Sequence, residues 1–229
     1  MISKLTLRIF IFLILVSGSV SSQENNWDNQ IYMGNKVTWG SDRWKYSGEI
    51  QVRLEDNFHS LDRWYVEGVA TFLVSKHFEI VPDIRYTIKP NSTEFRPGLG
   101  INFKKMLKDY QFVNNIKWQI DMSSPDRSND NGLRYGLFIN HTIVNDKLAA
   151  SFAAGIFYRW RDDFKGFQFV RFGPSLVYIL NKKHTLNFSY FLSAENNGEF
   201  WEWAGIPVIQ LIININKDYK YVPAKYFNY

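Results

Sequence analysis

The chain is expected to fold as an all-β, transmembrane, antiparallel up-and-down β-barrel of about ten strands, with eight to twelve admissible, preceded by a signal peptide. Three observations carry this. Apolar and polar residues alternate strictly through successive segments, the N-terminus reads as an export signal, and the aromatic share reaches 17% in a chain whose mean hydropathy is only −0.27. Each barrel strand is apolar on one face alone, so a barrel hides from hydropathy averages while remaining rich in aromatic residues. No stretch beyond the signal approaches the run of about 18 apolar residues that a membrane-spanning helix needs.

The alternation is cleanest between Arg43 and Lys89. Tyr46, Gly48, Ile50, Val52 and Leu54 share one parity, against Lys45, Glu49, Gln51, Arg53 and Glu55 on the other. Trp64, Val66, Gly68, Ala70 and Phe72 then oppose Arg63, Tyr65, Glu67 and Thr71, and Phe78, Ile80, Ile84, Tyr86 and Ile88 oppose Glu79, Asp83, Arg85 and Thr87. A strand sends successive side chains to opposite faces, so each segment has one oily and one ionic face. A soluble sandwich alternates too, but hairpins this long and regular, with aromatic residues near their ends, suit a barrel in lipid.

From the N-terminus, Met1–Ser22 carries Lys4 and Arg8, the apolar run from Ile9 to Val16, and small residues ahead of Gln23. That is a secretory signal peptide. Residues 23–40 form an N-terminal segment in which Ile31, Met33, Val37 and Trp39 allow one extra strand, periplasmic or docked in the lumen. Residues 41–216 form the barrel, with expected strands of nine to twelve residues. Tight polar turns at Ser75-Lys76, Met106–Asp109, Asn145–Lys147 and Asn181–Lys183 alternate with longer loops at Glu55–Asp62, Pro90–Thr93, Ser123–Asn131, Asp162–Gly166 and Glu195–Gly198. Short periplasmic turns and longer outer loops are the usual asymmetry of outer-membrane barrels, which sets the expected location. Trp64, Trp160, Trp201 and Trp203 sit close to the longer loops, as an aromatic girdle would. Residues 217–229 are a C-terminal tail or a closing strand.

The chain contains no cysteine, which excludes disulfides, thiolate metal sites and a thiol nucleophile. Net charge is +5 and falls to +3 once Lys4 and Arg8 leave with a signal that holds no acid. That is too mild and too mixed in sign for nucleic-acid binding. The expected partners are outer-membrane lipid and the barrel-insertion machinery. No cofactor is implied, since the four histidines lack metal-ligand spacing. His59 beside Ser60 in an outer loop is the one pair that a lipid hydrolase would use, but no third group is placed by sequence.

The opening Val37-Thr38-Trp39, the pattern Gln51-Val52-Arg53-Leu54-Glu55-Asp56-Asn57, then Leu61-Asp62-Arg63-Trp64 and Asp83-Ile84-Arg85-Tyr86 resemble a family of uncharacterised bacterial outer-membrane β-barrels, a domain-of-unknown-function family. The resemblance implies location and architecture and brings no activity with it. Barrels of this kind usually end their last strand on an aromatic residue, whereas this chain runs on through Lys217, Tyr219, Tyr221 and Pro223 to Tyr229.

The inward residues divide the lumen in two. Glu49, Arg53, Glu67, Asp83, Arg85, Arg96 and Lys117 come from the first half of the chain, and Asn140, Ser151, Ala153, Gly155, Gly173, Ser175, Asn187 and Ser189 from the second. In a barrel of about ten strands, long ionic side chains opposite small ones are expected to reach across, pair and plug the lumen at mid-height. The leading expectation is therefore a non-enzymatic barrel with a mid-lumen charge network. A narrow diffusion channel for small polar solutes or ions is the first alternative and an outer-membrane lipid hydrolase the second.

Overall fold

The structure, a computed structural model, describes residues 27–124, 129–161, 164–196, 198 and 200–226. The signal peptide read at 1–22 and the beginning of the 23–40 segment lie outside these residues. Among the described residues every regular element is a strand: β1 (Trp27–Asn29), β2 (Ile31–Asp42), β3 (Trp44–Glu55), β4 (Ser60–Leu73), β5 (Phe78–Ile88), β6 (Thr93–Leu107), β7 (Tyr110–Ser124), β8 (Asn129–Val144), β9 (Leu148–Trp160), β10 (Lys165–Ile179), β11 (His184–Asn196), β12 (Trp201–Asn214) and β13 (Asp218–Tyr219). Strands β2 to β12 pair antiparallel in chain order, and β12 returns to β2, so eleven strands close the wall.

The eleventh strand is β2, which runs across the boundary expected at residue 40. An odd count makes the first and last strands point the same way, and the seam is accordingly parallel, Val208–Asn214 against Tyr32–Thr38. A parallel closure carries no turn signal, so hairpin logic counts from Trp44 and stops at ten. The strands are also longer than expected, from 11 residues in β5 to 16 in β8. Hydrogen bonding continues past the apolar band into polar stretches that read as loops, leaving connections of about four residues at one mouth, such as 56–59 and 89–92. We call that the upper mouth, and the mouth bearing the turns at Arg43, 74–77, 108–109, 145–147 and 180–183 the lower mouth. The expected contrast in loop length is therefore small. Asp42, Lys108 and Asp146 take positive φ (50°, 54° and 55°) in the lower turns, and Asp and Asn tolerate that conformation best.

Four prolines stand inside strands, where a closed wall offers no edge to hide a missing N–H. Each coincides with a gap in pairing: Pro82 between β4 and β5, Pro97 between β6 and β7, Pro174 between β10 and β11, and Pro207 at the seam, where β1 gives way to β2. Beside Pro82, the small residues Gly68 and Ala70 leave a shallow apolar hollow on the outer surface.

The outward face is a continuous apolar surface, with Ile50, Ile84, Leu99 and Ile116 all 45–56% exposed. A charge on that face costs about 2–4 kcal/mol at the bilayer midplane and about 0–1 near the interface. Ile84→Arg, at the middle of β5, should therefore destabilise the barrel by about that larger amount and Leu107→Arg, at the lower rim, hardly at all. Denaturant unfolding in lipid vesicles measures both, and equal losses would overturn this placement of the apolar band.

Candidate functional site: the filled lumen

Inward parity places four charged residues of consecutive strands directly opposite one another. Glu49 pairs in register with Glu67, Glu67 with Arg85, and Arg85 with Arg96. Like charges facing each other across strands are unfavourable, so the row holds only if each is neutralised elsewhere. Glu67, 1% exposed, does this for both arginines. Its Oε1 accepts from Arg85 Nε at 3.2 Å and Arg96 Nη2 at 3.2 Å, with Arg85 Nη2 at 3.0 Å and Lys117 Nζ at 4.0 Å. Lys117 Nζ donates to Asp83 Oδ1 at 2.6 Å, reaching across β6 where Gly98 has no side chain. A Cβ on Gly98 would lie 2.6 Å from Lys117 Cε and 2.9 Å from the Asp83 carboxylate, so glycine is what lets this pair meet.

Five of the seven lumen residues expected from the sequence, Glu67, Asp83, Arg85, Arg96 and Lys117, thus form one network. Glu49 and Arg53 belong to an adjoining one and make no ion pair with each other. Glu49 accepts from Gln51 Nε2 at 3.3 Å and Tyr65 Oη at 3.2 Å and pairs with Lys36 at 3.3 Å. Arg53 Nε donates to Gln51 Oε1 at 2.9 Å, and its guanidinium lies over Tyr32 and Tyr65, 4.2 and 5.3 Å from the ring centroids. Arg85 lies over the same Tyr65 ring at 3.8 Å, which joins the two networks. Lys36 escapes a sequence reading because its segment does not look like part of the wall.

The opposite wall differs from the sequence expectation. Small residues are there, with Ser151 Oγ donating to Asn140 at 2.7 Å and Ser175 Oγ to Ser189 at 2.7 Å. Large apolar side chains fill the space between them: Phe138, Phe157, Phe191 and Ile206 are at most 2% exposed, and Phe169 8%. Leu137-Phe138-Ile139 and Ile156-Phe157-Tyr158 are apolar on both faces, so alternation fails to signal their inward members. Arg134 stacks over Phe157 at 4.6 Å and Phe169 at 5.4 Å, bringing the charged and apolar halves together. Nearer the upper mouth, Arg159 pairs with Asp121 at 2.6 Å and Asp130 at 3.6 Å, and Arg171 with Glu195 at 2.7 Å.

Residues 218–226 run from the foot of β2 across the lower mouth. After β12, β13 adds to the foot of β2 at Ser41 and Asp42, and the Tyr219 ring occupies the space a side chain on Gly40 would fill, 1.8 Å from a Cβ there. The tail then turns inward across the mouth. The Ala224 N–H donates to Glu79 Oε1 at 2.7 Å, and the Lys225 N–H to Gln111 Oε1 at 2.9 Å. Lys104 Nζ donates to the Val222 carbonyl, Gln111 Nε2 to that of Pro223 at 3.3 Å, and Asn140 Nδ2 to that of Lys225 at 3.0 Å. Lys104 also pairs with Glu79. Side chains of β5, β6, β7 and β8 thus recognise five main-chain groups of one extended segment, which satisfies backbone polarity that burial would otherwise leave unpaired. Tyr226 packs 6.1 Å from Phe138 and bonds Thr71, and burial pushes its phenol above the ordinary value. Among the described residues, the tail after β13 is therefore docked in the mouth rather than paired into the wall; its proline and scattered tyrosines carry no period from which docking is legible.

Trp64, Trp160, Trp201 and Trp203 all point outward in the upper half of the wall. Trp39, Trp44, Tyr46 and Phe72 form a second aromatic cluster near the lower mouth, with Trp44 stacked on Tyr46 at 5.8 Å and tilted against Phe72 at 4.8 Å. Ser60 Oγ and His59 Nδ1 each face Asp56, at 3.5 and 3.1 Å, rather than each other.

Among solved structures, this fold is similar to one titled as a NanC porin structure in a rhombohedral crystal form, at 12% sequence identity over 71% of this chain and 86% of that one, with a TM-score of 0.49. No curated protein matches the sequence. A family profile covers residues 26–204, from the start of β1 into β12, and so the chain belongs to the family described as "Protein of unknown function (DUF2490)".

Proposed function

We propose that this is a bacterial outer-membrane protein whose barrel is closed at rest, a non-enzymatic wall element rather than an open diffusion pore. The observation that carries the reading is Glu67, which holds Arg85 and Arg96 in a row 1–4% exposed, above a lower mouth crossed by residues 222–226. Two obstructions in series favour a lumen that ions do not traverse. Outer-membrane lipid is the partner of the apolar face, with Trp64, Trp160, Trp201 and Trp203 as its upper girdle, and the insertion machinery is the partner during assembly. Fractionation tests the location: the protein should stay with outer membranes and migrate on gels in a heat-modifiable way, and recovery in the soluble fraction would end the proposal. For closure, wild-type protein in planar bilayers should give no stable unitary currents, and their appearance would refute the closed lumen.

A narrow channel for small polar solutes is the second reading. Arg53 Nη2 and Arg96 Nε are buried without a hydrogen-bond partner in the protein, which favours some hydration of the interior. A lipid hydrolase draws no support from His59 and Ser60, whose side chains are turned to Asp56.

A further inference from the structure

Among the described residues, most buried bases of the lumen sit against an acid: Lys36 against Glu49, Arg85 and Arg96 against Glu67, Lys117 against Asp83, and Arg159 against Asp121 and Asp130. Arg53 differs from these. It is 7% exposed, has no acid within ion-pair distance among the described residues, and leaves Nη2 without a hydrogen-bond partner. Its one side-chain hydrogen bond goes to a neutral amide, that of Gln51. A buried guanidinium lacking a counterion is costly, and stacking on tyrosine faces offsets only part of that cost.

From these observations we infer that the lumen contains an oxyanion-binding site centred on Arg53. Two further guanidinium groups share its aromatic supports. Arg85, paired with Glu67, lies over Tyr65 as Arg53 does, and Arg171, paired with Glu195, lies 5.7 Å from the Tyr32 ring that Arg53 covers. Arg53 is two residues below the end of β3 at Glu55, so the ligand enters from the upper mouth and stops above the Glu67 row. The ligand is a carboxylate or a tetrahedral oxyanion, because a planar fork of N–H donors matches two oxygens of either one with two parallel hydrogen bonds. Uptake requires no passage through the barrel, so the site stands whether or not ions cross the lumen.

The test uses the full-length barrel folded in detergent, titrated calorimetrically with sodium sulfate and with sodium acetate against sodium chloride at matched ionic strength. Saturable binding of sulfate or acetate is expected, accompanied by a rise in the thermal midpoint that chloride does not produce. Sulfate alone would identify a tetrahedral ligand and acetate alone an organic acid. Arg53→Gln should weaken the binding about tenfold or more while keeping the heat-shifted band of a folded barrel. Arg53→Lys, which keeps the charge without the fork, should also bind more weakly than wild type. An equal response to chloride, or unchanged affinity in either variant, would overturn the site.

Discussion

Glu67→Ala is expected to lower the free energy of unfolding by about 3–5 kcal/mol, the loss that follows when one partner of a buried ionic cluster is removed. The size comes from what is left behind, since Arg85 and Arg96 would face each other in register at 3% and 4% exposure with their shared carboxylate gone. Lys89→Ala breaks a pair whose lysine side chain is 30% exposed, and solvent should hold that loss to about 0–1 kcal/mol. Denaturant titration in lipid vesicles compares the two. Similar losses would mean that the Glu67 cluster is hydrated like a surface pair and does not seal the lumen.

Opening the barrel is expected to require two lesions, because the proposed closure has two obstructions in series. In planar bilayers, Glu67→Ala alone should leave the tail across the lower mouth, and deletion of residues 217–229 alone should leave the ionic row, so each variant stays nearly silent. The combination should pass unitary currents, since water enters around the unpaired Arg85 and Arg96 and nothing stands beneath them. Currents of full size from the deletion alone would show that the mid-lumen row is not a barrier. Silence of the double variant, with a normal heat-shifted band, would place the seal on the apolar side of the lumen at Phe138, Phe157 and Ile206. A synthetic peptide of residues 217–229 added to the lower side should suppress the current of the double variant, because Glu79, Lys104, Gln111 and Asn140 read its main chain.

The alternation of Tyr46 to Leu54 against Lys45 to Glu55, repeated through β4 and β5, was enough by itself to determine an all-β wall with a lipid face and an ionic face. Period-two patterning is local, and two solvents as different as lipid and a polar lumen write it strongly. The membership of Glu49, Arg53, Glu67, Asp83, Arg85, Arg96 and Lys117 in the lumen followed from the same parity. Which of them meet did not. The pairing of Lys117 with Asp83 skips a strand through the bare Gly98, and the two are 34 residues apart, so no sequence spacing encodes it. Register and shear also decided that Arg53 would end on Tyr32 and Tyr65 without a carboxylate. Likewise β2 became a wall strand through a parallel seam with β12, and the tail docked across the lower mouth largely through its main-chain groups, which every sequence shares. Local periodicity determined the faces of this protein, whereas barrel closure, charge pairing and the docking of the tail depend on long-range register, which is settled only when eleven strands meet around one lumen.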